Sequence, residues 1–236
     1  VIGSQVFTAR VAVLVDFGII VSQKVISAFE LGIINSHFSL LPEWRGADPI
    51  SHSILSGQKF TGVSLMLINP GLDEGDLLAQ KRLNIIIGET TPSLTRKLVH
   101  LSSEMLKQYL PQYHQAKITH FPQDLTEKIT YASKICKADG EIDWSKPAEI
   151  IEREVRAYQG WPKSYTKLKD VNVTIIKAHV VPSSTSKKPG TLQIDGKDSL
   201  VIYCGKNCLG VDELQPAGKR PMDARAFLAG YKSRLG

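Results

Sequence analysis

Apolar and polar positions along the chain change rhythm several times, and each change marks an element. Residues 11–15 are a continuous apolar, β-branched run, the pattern of a parallel strand covered on both faces. Ser22 is placed to cap a short helix through residue 29. A second strand is predicted over residues 32–37, then an irregular loop with Pro42, Gly46 and Pro49, a short helix over 49–55 and a third strand over 62–68. Residues 77–86 suggest a fourth strand, entered from a loop rich in Gly and Asp. Thr91-Pro92 starts a helix, a capping hydroxyl followed by Pro in the first turn. Leu94, Leu98, Leu101 and Met105 repeat behind it at helical spacing, so one helix face packs on the sheet. Strands alternating with helices predict an open α/β layer.

From about Pro122 the rhythm differs. A polar stretch runs to Tyr131, and residues 145–158 read as a helix with Ile150, Ile151 and Val155 inward. Short β-type runs follow over 173–178, 191–194, 200–204 and 209–214, separated by turn signals at Ser183-Ser184, Pro189-Gly190, Asp195-Gly196 and Gly205. Strands this short and this closely spaced predict a small β-barrel. Residues 183–188 form a polar loop, and no internal repeat is present.

Composition narrows the class. The chain has 236 residues, 42% of them hydrophobic and 22% charged, as in ordinary globular proteins. No apolar run approaches the roughly 20 residues needed to cross a bilayer, and the first residues do not resemble a signal peptide. An intracellular, cytoplasmic protein without a membrane partner is expected. Cys136, Cys204 and Cys208 form no Cys-x-x-Cys pair, so reduced thiols are expected, the last two on facing strands around residues 205–207. The net charge of +6 is uneven. Ten Lys and Arg face nine Asp and Glu up to residue 120, and nineteen face fourteen beyond it. That excess is either a solvated Lys-rich surface or a phosphate-facing patch on the C-terminal part.

The candidate chemistry begins with Asn35 and His37. Two apart at the end of the second strand, they project to one face at the carboxyl end, where open parallel sheets place their ligands. Alone, such a His is more often a hydrogen-bonded structural residue. The surrounding residues decide between the two. Residues 32–50 read GIINSHFSLLPEWRGADPI and residues 71–76 read GLDEGD, with Asp73 lying 36 residues beyond His37. Together they closely resemble the signature of the N10-formyltetrahydrofolate-dependent formyltransferases. The resemblance implies a catalytic trio of Asn35, His37 and Asp73, with 10-formyltetrahydrofolate as formyl donor and no metal.

In that chemistry a neutral amine attacks the formyl carbon and an oxyanion develops. Asn35 would donate to the oxyanion, as would a protonated His37, one such donor being worth about 3 kcal/mol. Asp73 would hold His37 by a charge-assisted hydrogen bond and raise its pKa. The resemblance also makes Ser39, Leu40, Leu41 and Pro42 the tetrahydrofolate-binding segment, offering apolar contacts and backbone groups. Phe17, Gly18, Ile19, Ile20 and Val21 match the stretch that helps form the pterin slot, against plain core packing as the other reading. Trp44-Arg45 either contacts a nucleic-acid end or anchors its loop.

The C-terminal part carries the acceptor signal. Residues 134–166, KICKADGEIDWSKPAEIIEREVRAYQGWPKSYT, and residues 214–231, LQPAGKRPMDARAFLAGY, resemble the family branch acting on methionyl-tRNA. That resemblance implies a partial Rossmann-like α/β domain with a mostly parallel sheet, then an OB-like barrel laid along the tRNA. The expected boundaries are a catalytic part over 1–116, a linker over 117–135 and a tRNA-binding domain over 136–236. Arg45, Lys187, Lys188, Lys206, Lys219 and Arg220 are the phosphate-contact candidates, each otherwise a solvated charge. The implied partner is initiator methionyl-tRNA and the expected state a monomer. A tRNA-binding remnant without catalysis and a formyltransferase for small amines are the alternatives. The family pattern starts near Ala9, and its members carry further strands ahead of that point. Phe38, Asp48, Asn69-Pro70 and Gly160 depart from the pattern without touching the trio.

Overall fold

The computed structural model describes residues 9–185 and 187–235. Residues 1–8 of the expected catalytic part, Ser186 of the polar loop and Gly236 lie outside the described residues. Two compact units are present, one formed by residues 1–87 and 93–134, the other by 88–92 and 135–236.

In the first unit a four-stranded sheet has the order β1-β2-β4-β5, with β1 at Ala12–Val15, β2 at Ile33–His37, β4 at Phe60–Leu67 and β5 at Leu77–Asn84. β1 and β2 are parallel, but β2–β4 and β4–β5 are antiparallel. The expected mostly parallel sheet is therefore corrected to a mixed one, in which β1–β2 is the parallel pair among the described strands of this sheet. For β4–β5 the reason lies in chain length: the loop is nine residues, whereas a parallel crossover needs a dozen or more. The β2–β4 connection, residues 38–59, is long enough for either direction. α1 (Gln23–Ile26) and α2 (Pro49–Leu55) are short, with Pro49 at the first turn of α2.

α3 (Thr91–His114) buries Leu94, Leu98, Leu101 and Met105 on one stripe. Ser102 on that stripe shares a 2.6 Å hydroxyl hydrogen bond with Ser36 of β2. Because side chains alternate along a strand, this puts α3 on one face of β2 and leaves Asn35 and His37 on the other. The expectation that β1 is covered on both faces is not met among the described residues, where it is partly exposed and pairs only with β2.

The stretch expected to be a linker is built into this unit. Phe121 and Leu77 exchange backbone hydrogen bonds of 2.7 and 2.9 Å. β3 (Arg45–Gly46) and β6 (Tyr131–Ala132) form a two-stranded parallel pair. Gly46 is required there: its φ is +115°, and an added Cβ would stand 2.6 Å from the Ala132 carbonyl oxygen.

In the second unit β7 (Ser164–Leu168), β8 (Val171–Val181), β11 (Cys208–Pro216), β10 (Ser199–Tyr203) and β9 (Leu192–Asp195) pair antiparallel in that order, and β12 (Met222–Asp223) pairs with β11. The path is open between β7 and β9, so the pairings draw an open six-stranded sheet and no closed barrel among the described residues. A register shift in β11 around Asp212 bends it. α4 (Ala148–Ala157) and α5 (Ala224–Leu235) bury Ile151, Val155, Phe227 and Leu228 in one core with Val173, Ile175, Ile202, Leu209 and Leu214. Cys204 and Cys208 are buried free thiols while Cys136 is exposed. Burial pushes the Cys204 thiol up to about 12, which keeps it protonated and unreactive. No helix among the described residues is long and apolar enough to cross a membrane.

Candidate active site

β2 supplies the first two groups. Asn35 lies between Leu14 of β1 and Met66 of β4, and His37 stands opposite Ser64. The His37 imidazole is buried. Its Nε2 is 2.8 Å from the Trp44 carbonyl oxygen. A carbonyl only accepts, so Nε2 carries the proton, and in the neutral ring Nδ1 keeps a free lone pair. Nδ1 is 3.8 Å from Oδ2 of Asp73, whose side chain is 16% exposed.

The loop over residues 68–76 folds back to deliver Asp73. Asp73 adopts the left-handed conformation at φ +52°, and Gly75 makes the approach possible, since a Cβ there would fall 1.7 Å from the Leu67 carbonyl oxygen. Leu67 N–H donates to the Asp76 carbonyl at 2.8 Å and closes the base of the loop. The Asp73 carboxylate accepts a 2.8 Å hydrogen bond from Gly46 N–H.

At 3.8 Å the His37–Asp73 contact is an ion-pair distance, too long for the expected hydrogen bond. Asp73 does favour the imidazolium, as expected, but burial outweighs it and the Trp44 carbonyl together, so the His37 pKa is lowered on balance. His37 is thus neutral near pH 7, with its N–H given to Trp44, so donation to an oxyanion falls to Asn35. No hydrogen bond to the Asn35 side chain occurs among the described residues.

The segment at Ser39, Leu40, Leu41 and Pro42 is locked from below. Ser64 Oγ donates to the Ser39 carbonyl at 2.6 Å and accepts from Leu41 N–H at 3.0 Å. Gln80 donates to the Leu41 carbonyl at 2.8 Å, and the Leu40 carbonyl accepts from Glu43 N–H at 3.0 Å. Leu41 is buried against Met66 and Leu77. The Ser39 carbonyl and both backbone groups of Leu41 are thus held by Ser64 and Gln80, which fixes the segment as a wall of the site.

Phe17, Gly18, Ile19, Ile20 and Val21 leave the carboxyl end of β1, the same edge at which parallel β2 ends in His37. Phe17 is 54% exposed, Ile19 71% and Ile20 86%. Among the described residues these three side chains are exposed, while Val21 is half-buried.

Arg45 is buried, and the phosphate contact considered for it is corrected. Its guanidinium donates to Gln123 Oε1 at 2.8 Å and pairs with Glu74 at 3.2 Å. Trp44 is also an anchor: Nε1 donates to Gln58 at 2.8 Å and the ring stacks on His52. The remaining basic candidates are exposed but divide into two groups. Lys187 and Lys188 lie in the β8–β9 loop and Lys206 in the β10–β11 turn, which meet where Ser183 N–H donates to Asn207. Lys219 and Arg220 follow the far end of β11, a strand of nine residues, or about 25 Å away at the usual rise. Lys187 also covers the Tyr203 ring at 4.7 Å.

Sequence reasoning missed Gln123, Ser64, Gln80 and Thr130, whose hydroxyl accepts from Trp44 N–H at 2.8 Å. Gln123, Thr130 and Gln80 sit in polar or mixed stretches and Ser64 inside the apolar run of β4, where a buried hydrogen-bonding role leaves no periodic mark. No group of three or more His, Cys, Asp or Glu able to hold a metal ion occurs among the described residues.

Comparison with known proteins bears on this geometry. Residues 4–110 match the family described as formyl transferase, and residues 134–232 match the formyl transferase C-terminal domain. A methionyl-tRNA formyltransferase from Pseudoalteromonas translucida is 38% identical over 224 residues, covering 94% of this chain and 70% of that protein. One from Chloroflexus aurantiacus is 38% identical over 231 residues, covering 96% and 74%. Among solved structures, the HypX protein of Aquifex aeolicus in complex with tetrahydrofolic acid shares the fold at a TM-score of 0.68. Its identity is 15%, covering 94% of this chain and 39% of that one. An N-formyltransferase from Helicobacter canadensis, in complex with folinic acid and dTDP-3-aminofucose, gives 0.66 at 21% identity, covering 83% and 71%. With more than two thirds of each curated relative covered at 38% identity, the chain belongs to the methionyl-tRNA formyltransferase family.

Proposed function

We infer that this chain transfers a formyl group to the amino group of methionine carried on a tRNA, and that the donor is 10-formyltetrahydrofolate. The observation that carries the reading is the buried His37 with Nδ1 3.8 Å from the Asp73 carboxylate, on the strand face it shares with Asn35.

The residues present suit a folate-type donor. Exposed Phe17, Ile19 and Ile20 at the edge shared with His37 offer apolar surface for a flat ring, and Leu41 and Pro42 wall the loop beyond His37. The donor, when bound, supplies an activated formyl group on nitrogen. Toward it Asn35 offers an N–H donor where the carbonyl oxygen gains negative charge, the interaction we assign as worth about 3 kcal/mol. His37 Nδ1 takes the proton released by the attacking amine. The imidazolium so formed faces the Asp73 carboxylate, which Gly46 N–H holds in place, and the same proton is available to the departing nitrogen. General acid–base assistance of this kind contributes about 10²–10⁴ in rate.

We assign the second unit as the tRNA-binding part, OB-like in strand path, with the catalytic part extending to residue 134. Lys187, Lys188 and Lys206 make one candidate phosphate contact area, and Lys219 with Arg220 another. The test is to supply the chain and 10-formyltetrahydrofolate with methionyl-tRNA in one reaction and an amino-sugar nucleotide in another. Formyl-methionyl-tRNA alone is the expected product. Formylation of the sugar alone, or tRNA binding with no product, contradicts the reading.

A further inference from the structure

Gln123 follows Pro122 in the segment that backs the site, and its side chain is buried. Its Nε2 donates to the Asp73 carbonyl at 2.8 Å and to the Gly75 carbonyl at 2.9 Å, while Oε1 accepts from Arg45 Nη2 at 2.8 Å. Both amide donors are spent on one loop and the oxygen on the residue that pairs with Glu74 of that loop. The amide orientation is fixed, because the reverse would set its oxygen against two carbonyl oxygens. Residues 73, 74 and 75 are therefore gripped in succession, directly or through Arg45. A non-glycine residue at φ +52° needs such a grip, since the left-handed conformation persists only where its surroundings over-determine it.

None of these three hydrogen bonds involves the His37 ring. We propose that Gln123 is the positioning residue of the site, holding the Asp73 loop so that the carboxylate stays beside His37. The inference rests on the roles given to His37 and Asp73 above. A purely structural Gln123 would serve to satisfy Arg45, and that alternative makes different predictions.

Asp73 is the charged group facing His37. Arg45 and Glu74, on the neighbouring loops, neutralise each other at 3.2 Å. Loosening the Asp73 loop removes the nearby negative charge that favours the imidazolium, so His37 would protonate at lower pH.

The test uses Gln123→Glu, which keeps an acceptor for Arg45 but loses both donors, and Gln123→Met, which loses all three bonds. Two readouts are needed: the single-turnover formylation rate against pH, and the titration of the His37 imidazole followed by NMR in the free protein. Both variants are expected to lose on the order of 10²-fold in rate, the typical effect of a displacement near 1 Å. The acid limb of the rate profile and the His37 titration should both move down by about half a pH unit or more. Gln123→Glu keeping the wild-type rate while Gln123→Met loses it would assign Gln123 to Arg45 alone and overturn the proposal. So would a folded variant that loses rate with an unmoved His37 titration. A wild-type chain that forms no product, with His37 still shifting between variants, would defeat the functional reading and leave the positioning role standing.

Discussion

Asp73 places its carboxylate 3.8 Å from Nδ1 of His37 while spending its hydrogen bond on the Gly46 N–H at 2.8 Å. It stabilises a charge on the imidazole without binding the neutral ring. The lone pair at Nδ1 stays available, because the proton sits on Nε2 and points to Trp44. This arrangement sets the sign of the pH dependence. The folded-state pKa of His37 is depressed, chiefly by burial, whereas the unfolded chain takes up its proton near 6.5. Stability from this group is full above about pH 6.5 and is lost as pH falls toward the folded-state value. Thermal unfolding scans between pH 7.5 and 5 should show a drop in Tm for the wild type that is smaller in His37→Gln. Equal slopes in the two proteins would contradict a buried neutral His37.

Asp73→Asn keeps an oxygen to accept from Gly46 N–H and removes only the charge. It should therefore unfold within a few degrees of the wild type while its kcat falls by about 10²-fold or more. Full activity in this variant would remove Asp73 from the chemistry.

Arg45 and the lysines of the second unit should part company in a salt titration. Arg45→Ala leaves the buried Gln123 oxygen without its donor, at a cost of about 1–3 kcal/mol in stability, and should leave the salt dependence of tRNA affinity unchanged. Lys206→Ala should hardly affect stability and should reduce the slope of log K against log salt by about 0.9, the share of one neutralised phosphate. A changed slope in Arg45→Ala with unaltered stability would reverse the two assignments.

Ile20 is 86% exposed, so Ile20→Ser should change stability by no more than about 0.5 kcal/mol. If the stretch lines the donor's ring, KM for the formyl donor should rise several-fold with kcat little altered. An unchanged KM would separate the exposed loop from the donor site.

The elements with strong local signals were readable from the chain. The apolar run ending in His37, the Pro49 helix, and the Thr91-Pro92 start with its Leu94, Leu98, Leu101 stripe all stand as expected, within a residue or two at their ends. Strand direction was not readable, because a buried antiparallel strand such as β4 carries the same apolar run as a parallel one. The nine-residue β4–β5 loop was the available clue. β7, with its polar SYTKL sequence, and α5 were missed because neither carries a clean period. The family resemblance implied Asn35, His37 and Asp73, and the structure brings His37 and Asp73 within 3.8 Å, but protonation was misjudged: charge pairing is legible in sequence, whereas depth of burial is a property of the fold. Gln123 was indistinguishable from its solvated neighbours for the same reason.

The most direct test of these roles is the single-turnover rate of formyl transfer to methionyl-tRNA across pH 5–8, measured for the wild type and for His37→Ala. The wild type should hold a plateau at neutral pH and decline only below about 6.5, while His37→Ala loses about 10²–10⁴ in rate with tRNA binding retained. A His37→Ala protein that transfers formyl at the wild-type rate would contradict the assignment.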